Sequence, residues 1–388
     1  MSKINTSIGM LPISWEIRSL EEVADVIDPH PSHRAPKAIE NGYPFLGIGD
    51  LDAFGNATFD SARKVGVNVM EDHENSYIID ECSIGYAKMG NTIGKVVSFP
   101  KRTAEQRFAI SPALSIINPK SNINPYFLRA VVESKQFFAQ VNGRITGSTR
   151  PSIGIQLLRK ILIPFPSQIE QDIIGGVWKN LYDKISLNNK INRNLEEQAF
   201  VLFDSYFPNA IYGERKIGDF ISPSRGKNLV TKDAIPGDVP VVAGGLSPST
   251  YHNESNTTGP VLTISASGAN AGYVRLWNQS VWSSDSSYID SSMTDNVYFW
   301  YVMLKKRQKE IFDSQTGSAQ PHVYPKNIEM MPVINLDKAA ITEYTNEVTP
   351  MFYMIGSNNK ENISLSELRD SLLPKLISGE MDVSDLDI

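Results

Sequence analysis

The chain has 388 residues, with 37 Lys and Arg against 43 Asp and Glu, so its formal net charge is −6. The single cysteine, Cys82, excludes a disulfide framework and a Cys-rich zinc site, and the length suits two or more domains. No apolar run reaches the roughly 18–20 residues of a membrane span, and no signal-peptide core precedes the first domain, so we expect a cytoplasmic protein. The acidic balance argues against nucleic acid as a ligand, because nucleic-acid binders usually carry a basic surplus.

Residues 1–165 are rich in Gly, Pro and Ser and contain short β-branched runs. One such run, Lys95–Phe99, is bounded by turn residues and predicts a strand. An apolar helix is predicted at Pro125–Gln140, and Gly90 with Gly94 should shape a hairpin. We therefore predict an α+β domain over this segment.

Polar side chains gather at two places in this first domain, on the hairpin and on a loop that contains Thr146-Gly147-Ser148. The candidate DNA-binding residues are Lys88, Asn91, Lys95, Arg144, Ser148, Thr149 and Arg150. Side chains of these types can hydrogen-bond phosphates or base edges. For the loop, the alternative is a structural turn that docks the domain onto a helix. For the hairpin, the alternative is a solvated tip without a ligand.

Two short motifs in the same segment suggest a methyltransferase. Phe45–Gly49 fits an F-x-G-x-G loop for S-adenosylmethionine, and Asn124-Pro125-Tyr126 approaches the N-P-P-[YF] motif of adenine methyltransferases. A cofactor loop should open into a helix, whereas Gly49 leads into turn residues. We therefore expect no catalytic residues and no bound cofactor in this chain.

His30 and His33, with Asp28 nearby, could form a metal site. Three prolines in the same stretch instead favour an extended surface loop, and no second group of ligands is evident in the sequence. We therefore predict no metal site.

Residues 166–212 and 336–388 are predicted to be spacer helices, the second ending in an acidic tail. Apolar or Asn residues recur every seven positions: Ile174, Leu181, Asn188, Leu195 and Leu202 in the first, and Tyr344, Met351, Asn358, Leu365 and Leu372 in the second. In an antiparallel coiled coil the two seam Asn residues could meet; alternatively, both lie at solvated breaks. Pro350 and Pro374 should kink the second helix or end pieces of it.

Residues 213–335 repeat the character of the first domain, with a predicted strand at Pro260–Ile264 and an apolar helix at Val297–Phe312. Gly268 and Gly272 should shape a second hairpin. The candidate DNA-binding residues here are Arg225, Lys227, Asn270, Arg275, Gln315, Ser318, Gln320 and His322.

The chain is one unit used twice. Asn188-Asn189-Lys190 recurs as Asn358-Asn359-Lys360, and Thr146-Gly147-Ser148 recurs as Thr316-Gly317-Ser318, both 170 positions later. Matched blocks keep the same order, while their offset drifts toward the front of each unit. A fold follows from this: two α+β globular domains in tandem repeat, separated by two long α-helices that pack as an antiparallel coiled coil.

Charge divides along the same boundaries. Residues 1–165 have 18 basic and 16 acidic side chains, and residues 214–335 have 11 of each. The whole deficit lies in residues 166–213, with net charge −2, and residues 336–388, with net charge −6. The globular domains are therefore not too acidic to meet DNA.

Together these features resemble the specificity subunit of type I restriction–modification systems. The sharpest likeness is Leu368–Glu380, which looks like the second conserved helical region of that family. Leu11–Glu16 looks like the start of family members, and Ile163–Gln171 like the entry into the first helix. The likeness covers nearly the whole chain, with Pro350 as a departure.

The resemblance implies a non-catalytic subunit with two target recognition domains, each reading half of a split double-stranded DNA site. The helices would set the spacing and dock two modification subunits, which carry the methyltransferase chemistry and bind S-adenosylmethionine. Restriction motor–nuclease subunits would join them. The rivals are a methyltransferase that binds the cofactor itself and a tandem scaffold with no DNA role.

Overall fold

The computed structural model describes residues 2–30, 34–147, 150–317 and 320–383, which form two compact units. The first unit comprises the described residues up to 186 together with those from 363 onward, and the second comprises residues 187–362. The boundaries between the units fall inside two long helices. The mixed α and β composition and the two long helices are as predicted.

The first unit alternates short strands with short helices before the first long helix. Its strands are β1 (Lys3–Thr6), β2 (Gly9–Pro12), β3 (Glu16–Ser19), β4 (Ala24–Ile27), β5 (Tyr43–Leu46), β6 (Lys64–Val65), β7 (Ile84–Ala87), β8 (Val96–Ser98), β9 (Ala109–Ile110), β10 (Leu114–Pro119) and β11 (Leu162–Phe165). Its helices are α1 (Leu20–Val23), α2 (Val67–Ser76), α3 (Pro125–Val132), α4 (Lys135–Asn142), α5 (Ile155–Arg159) and the start of α6 (Gln168–Tyr206).

The second unit contains the end of α6 and a further set of short elements. Its strands are β12 (Arg215–Lys216), β13 (Ser224–Arg225), β14 (Val239–Val242), β15 (Thr250–His252), β16 (Val261–Ser265), β17 (Val274–Trp277), β18 (Trp282–Ser283), β19 (Ser286–Asp290) and β20 (Pro332–Val333). Its helices are α7 (Val297–Lys306), α8 (Gln308–Asp313), α9 (Pro325–Glu329) and most of α10 (Lys338–Ile377). Single 3-10 turns lie at Ile217–Asp219 and Thr231–Asp233.

The strands follow one connectivity in both units. The order β4-β10-β7-β8 in the first unit matches β13-β19-β16-β17 in the second. A smaller sheet also recurs, because β5 pairs antiparallel to β6 and parallel to β9, while β14 pairs antiparallel to β15 and parallel to β18. The central strands β7 and β16 are buried along their whole length, which suits an apolar run with neighbours on both sides.

The predicted apolar helices are each divided in two. Pro125–Gln140 becomes α3 and α4 because the Ser134 hydroxyl accepts the amide proton of Phe137 at 3.1 Å and starts a new helix. Val297–Phe312 becomes α7 and α8, with the break at the buried Arg307. The strand predictions at Lys95–Phe99 and Pro260–Ile264 are right to within a residue at each end.

The helices α6 and α10 run antiparallel within the second unit. Asn188 Nδ2 donates to Asn362 Oδ1 at 2.9 Å, and Asn358 Nδ2 donates to Asn192 Oδ1 at 2.8 Å. The two seam Asn residues therefore do not bond to each other. Each bonds to a residue on the opposite helix that lies about one turn from the other seam Asn. They are buried, so the solvated-break alternative is wrong.

The prolines of α10 do not end it. The helix continues from Lys338 to Ile377 through Pro350 and Pro374. The prediction that these residues mark ends of helical pieces is wrong, because the buried faces on either side of each proline keep the chain in one helix.

The last turns of α10 help to complete the core of the first unit. Leu373, Leu376 and Ile377 are buried in the same cluster as Leu11 and Trp15. Just beyond the helix, Gly379 has a φ of +59°, and a Cβ there would collide with the Pro12 ring. The segments that resemble the family's start and its second conserved region therefore pack together.

The core of the second unit is built around aromatic rings from both long helices. Phe203 on α6 lies 5.7 Å from Tyr344 on α10, ring centroid to ring centroid, and equally far from Phe299 on α7. Tyr344 also donates its hydroxyl proton to the Ala199 carbonyl at 2.9 Å. The helices are thus fixed to the sheet-bearing part through buried side chains.

Replacing Phe203 by Ala should lower the free energy of unfolding of the second unit by about 3–5 kcal/mol, because it leaves a cavity among these rings. The measurement is the urea midpoint followed by fluorescence. Val201→Ala, on the same helix but 69% exposed, is the control and should change it by less than about 0.5 kcal/mol. Equal effects of the two substitutions would contradict the packing described.

Candidate nucleic-acid interface

A glycine-shaped hairpin joins β7 to β8 in the first unit, as predicted. The strands pair antiparallel, with Ile84 opposite Ser98, and Gly90 and Gly94 have φ values of +81° and +90°. Residues other than glycine rarely adopt such values. At Gly94 a Cβ would also collide with the Phe138 ring, so this turn admits little else.

The loop that contains Thr146 and Gly147 is attached to this hairpin by backbone hydrogen bonds. Thr146 and Ser152 exchange two amide–carbonyl bonds of 2.9 Å, which close the loop. Gly90 N donates to Pro151 O at 2.8 Å, and Ile153 N donates to Lys88 O at 2.9 Å. Hairpin and loop therefore present one surface. Ser148 and Thr149, two predicted site residues, lie outside the described residues.

The second unit repeats this arrangement. Thr316 and His322 exchange two backbone bonds of 2.9 Å, while Gly268 N donates to Pro321 O at 3.1 Å. Val323 N donates to Ala266 O at 3.0 Å, so the loop again lies beside the hairpin. The predicted residue Ser318 is outside the part of the chain that the structure describes. Each Thr-Gly-Ser loop is followed by a short helix, α5 or α9.

A third loop joins each of these surfaces, and the sequence interpretation did not assign it to them. In the first unit Lys95 Nζ donates to the Ile48 carbonyl at 3.4 Å, in the turn after β5. In the second unit Asn270 Nδ2 donates to Gly244 O at 3.4 Å, in the turn after β14. The glycines of Phe45–Gly49 could have indicated this loop in the sequence, but they also fitted a cofactor-binding motif. In the structure they form a turn, as their neighbours predicted.

The surface of the first unit exposes Asn91, Lys95 and Arg150. Arg150 Nη2 lies 3.6 Å from Met89 Sδ, which joins the loop to the hairpin through side chains as well. Arg144 is half-buried and donates to the Gln140 carbonyl at 2.8 Å, so it supports the loop from the side of α4.

The structure contradicts the prediction made for Lys88. It was predicted to contact DNA, but it is 1% exposed and its ammonium lies 2.5 Å from the Asp28 carboxylate. Burial lowers the pKa of Lys88, and the hydrogen bond that its ammonium donates to the Asp28 carboxylate opposes that shift. The side chain thus fixes the base of the hairpin and cannot reach a ligand.

His30 is also buried, at 9% exposure, so its assignment to a surface loop is wrong. Its Nε2 lies 3.1 Å from the Ile110 carbonyl, and its ring centroid lies 4.5 Å from that of His73. Desolvation lowers the pKa of His73 to about 4, which keeps this ring neutral near pH 7. His33 lies outside the described residues.

In the second unit a carboxylate organises the surface. Asp285 receives hydrogen bonds from the Arg225 guanidinium at 2.8 Å and from the Ser267 hydroxyl. Arg225 is exposed, so this pair orients a guanidinium whose remaining N–H groups face solvent. Lys227 is exposed nearby, with its ammonium 6.0 Å from the Trp282 ring centroid.

The other predicted residues of the second unit divide into exposed and structural ones. Gln320 is exposed, and the half-buried His322 ring stacks on Tyr324 with centroids 5.9 Å apart. Gln315 instead donates to the Ala271 carbonyl at 2.7 Å. Arg275 lies 3.9 Å above the Trp277 ring and donates to Leu246 O at 2.6 Å, which makes it a packing residue of the third loop.

These surfaces offer donors suited to phosphates and base edges, but in different combinations. The first unit exposes Lys95 and Arg150 with the Asn91 amide, and the second offers Lys227, the tethered Arg225 guanidinium, the Gln320 amide and the half-buried His322 imidazole. Arg and Lys favour guanine and phosphate, whereas Asn and Gln favour adenine. Within the described ranges, no group of three or more His, Cys, Asp or Glu side chains could hold a metal ion, and no helix is long and apolar enough to cross a membrane.

Comparisons with known proteins show which chains are similar to this one. Residues 12–197 match the family model described as the type I restriction modification DNA specificity domain. The type I restriction enzyme MjaIX specificity subunit of Methanocaldococcus jannaschii is 23% identical, over 98% of this chain and 96% of the relative. The type I restriction enzyme HindI specificity subunit of Haemophilus influenzae is 23% identical, over 71% of this chain and 81% of the relative. The crystal structure of the S subunit from M. genitalium shares the fold, with a TM-score of 0.51, 19% identity and coverage of 93% of this chain and 96% of the other.

Lys88→Met should lower the free energy of unfolding of the first unit by about 3–5 kcal/mol, because it removes the cation from a buried ion pair. Lys95→Met, an exposed lysine on the same hairpin, is the matched control and should change that free energy by less than about 0.5 kcal/mol. Urea unfolding of both variants checks this. A stable Lys88→Met protein would show that the ion pair does not hold the hairpin base.

Proposed function

Because residues 12–197 match the model of the type I restriction modification DNA specificity domain, and a relative named a specificity subunit is similar over 98% of this chain, we propose that the chain is a non-catalytic specificity subunit that reads a bipartite double-stranded DNA target. Residues 1–165 and 213–335 are the two target recognition domains, and each reads one half-site. The observation that carries this proposal is the three-loop surface, which recurs on matching strands in both units. A scaffold without a DNA role would not need it.

The two spacer segments, residues 166–212 and 336–388, form an antiparallel coiled coil that sets the distance between half-sites. They also dock two modification subunits. The acidic balance of these segments supports a protein-facing role, since phosphate would be repelled by it. The modification subunits bind S-adenosylmethionine and methylate adenine, restriction motor–nuclease subunits join them, and this chain binds no cofactor. The assembly acts in the cytoplasm.

Loop variants in the complex with its modification subunit test half-site reading. Arg150→Ala should weaken binding by about 1–3 kcal/mol and relax sequence preference in one half-site only. Gln320→Ala should do the same in the other half-site. Electrophoretic mobility shifts on DNA with single-base changes provide the measurement.

Lys160→Ala removes an exposed cation that pairs with Glu21, and it should leave sequence preference unchanged. A complex that retains no DNA, or loop variants that alter both half-sites alike, would refute separate reading. Binding of S-adenosylmethionine to the isolated chain in calorimetry would favour the methyltransferase alternative.

Inserting one heptad into α6 together with one into α10 tests the spacer role while keeping the antiparallel seam in register. The accepted gap between half-sites should lengthen, because the added helix separates the recognition domains further. Methylation profiling of DNA from cells that carry this variant and its partner reports the gap. An unchanged gap would show that the helices do not set it.

A further inference from the structure

A cavity of about 320 Å³ lies within the second unit, beside the helices. It is lined by residues of α6, α7, α10 and the strand β17. Its charged lining residues are Arg193, Glu196, Arg275 and Lys305, and aromatic rings of Tyr273 and Tyr301 complete much of the wall.

The charges of this lining do not balance. Three cations face one carboxylate, and Glu196 already accepts a hydrogen bond from the Tyr301 hydroxyl. Two of the cations are held in place: Lys305 Nζ donates to Val274 O at 3.1 Å and lies 4.4 Å from the Tyr273 ring centroid, while Arg275 is stacked on Trp277. Positive charge is therefore concentrated in a recess that is partly shielded from water.

Burial makes this concentration costly. Desolvation lowers the pKa of both Arg275 and Lys305. The charge of Arg275 lowers the pKa of Lys305 further, and the Glu196 carboxylate opposes that shift. An anion in the recess would relieve the cost, because a buried charge is stabilised by a paired and hydrogen-bonded partner.

Two amides of the lining are held through their oxygens. Asn189 Oδ1 accepts from Asn362 Nδ2 at 2.9 Å, and Asn278 Oδ1 accepts from the Tyr298 hydroxyl at 3.0 Å. The nitrogens of these amides only donate, which suits an anion as the ligand.

The fold itself does not require the cavity. In the first unit, Trp178 and Tyr182 stack 4.5 Å apart beside α3 and leave a recess of only about 50 Å³. There the cation is neutralised within the protein, since Arg129 pairs with Glu133 at 2.6 Å and the Trp178 indole donates to Glu133 at 2.9 Å. The recess in the second unit is larger than that one, and its cations outnumber its carboxylates.

We propose that this cavity binds a small phosphate-bearing anion, with the phosphate held by Arg193, Arg275 and Lys305. A flat group attached to the phosphate would lie against Tyr273 and Tyr301. The recess borders the third loop through Arg275 and the helix seam through Asn189, but Arg193 and Lys305 are not among the proposed DNA contacts.

Calorimetry on the full chain tests the site with inorganic phosphate, adenosine 5′-monophosphate and adenosine as probes. Both phosphate probes should bind, the nucleotide more tightly, and adenosine should not. Arg193→Gln and Lys305→Met should each weaken nucleotide binding about tenfold, because each removes a charged hydrogen-bond donor. Lys190→Gln, an exposed cation on the same helix that does not line the cavity, is the control and should bind as the wild type does.

Thermal unfolding shows whether Lys305→Met remains folded. Because Arg193 is exposed, Arg193→Gln should fold normally and tests the site even if Lys305→Met does not fold. The proposal fails if neither phosphate probe binds, if adenosine binds as well as its monophosphate, or if Arg193→Gln binds like the wild type. It also fails if free phosphates do not bind but Arg193→Gln weakens DNA retention by the complex, since the cations would then serve a DNA phosphate.

Discussion

The structure depends on what the two long helices bury. Each core is completed by side chains from both of them: Phe203 with Tyr344 in the second unit, and Trp178 with Leu373 in the first. Since burial of large apolar side chains is the main source of folding free energy, neither set of strands would be stable without the helices. The hairpins and loops that carry the binding groups rest on these cores.

Local features of the site could be predicted from the sequence, and contacts between distant segments could not. Gly90 and Gly94 predict a hairpin because its turn requires positive φ values, which few residues other than glycine adopt. The burial of Lys88 depends on Asp28, sixty residues earlier, and no pattern within the hairpin reveals it. The seam Asn residues were placed on the correct helices, but their partners are set by a register that the heptad pattern alone leaves open.

The number of basic residues in a segment does not predict how many of them are free to bind a ligand. The basic run from Lys305 to Lys309 is used inside the protein: Lys306 pairs with Asp204 at 2.8 Å, and the buried Arg307 pairs with Glu310 at 2.6 Å. The exposed cations Lys95 and Arg150 are fewer but lie where three loops meet. Local geometry, and not net charge, therefore decides which residues can meet a phosphate.

The loops of each unit are closed and joined to the hairpins by main-chain bonds, such as those between Thr146 and Ser152. Main-chain bonds are indifferent to the side chains that the residues carry, except where proline or a positive φ intervenes. Residues at the loop tips can therefore be exchanged with little loss of stability. Such an architecture separates folding from recognition, so that new target preferences can evolve by a few substitutions in a frame that stays intact.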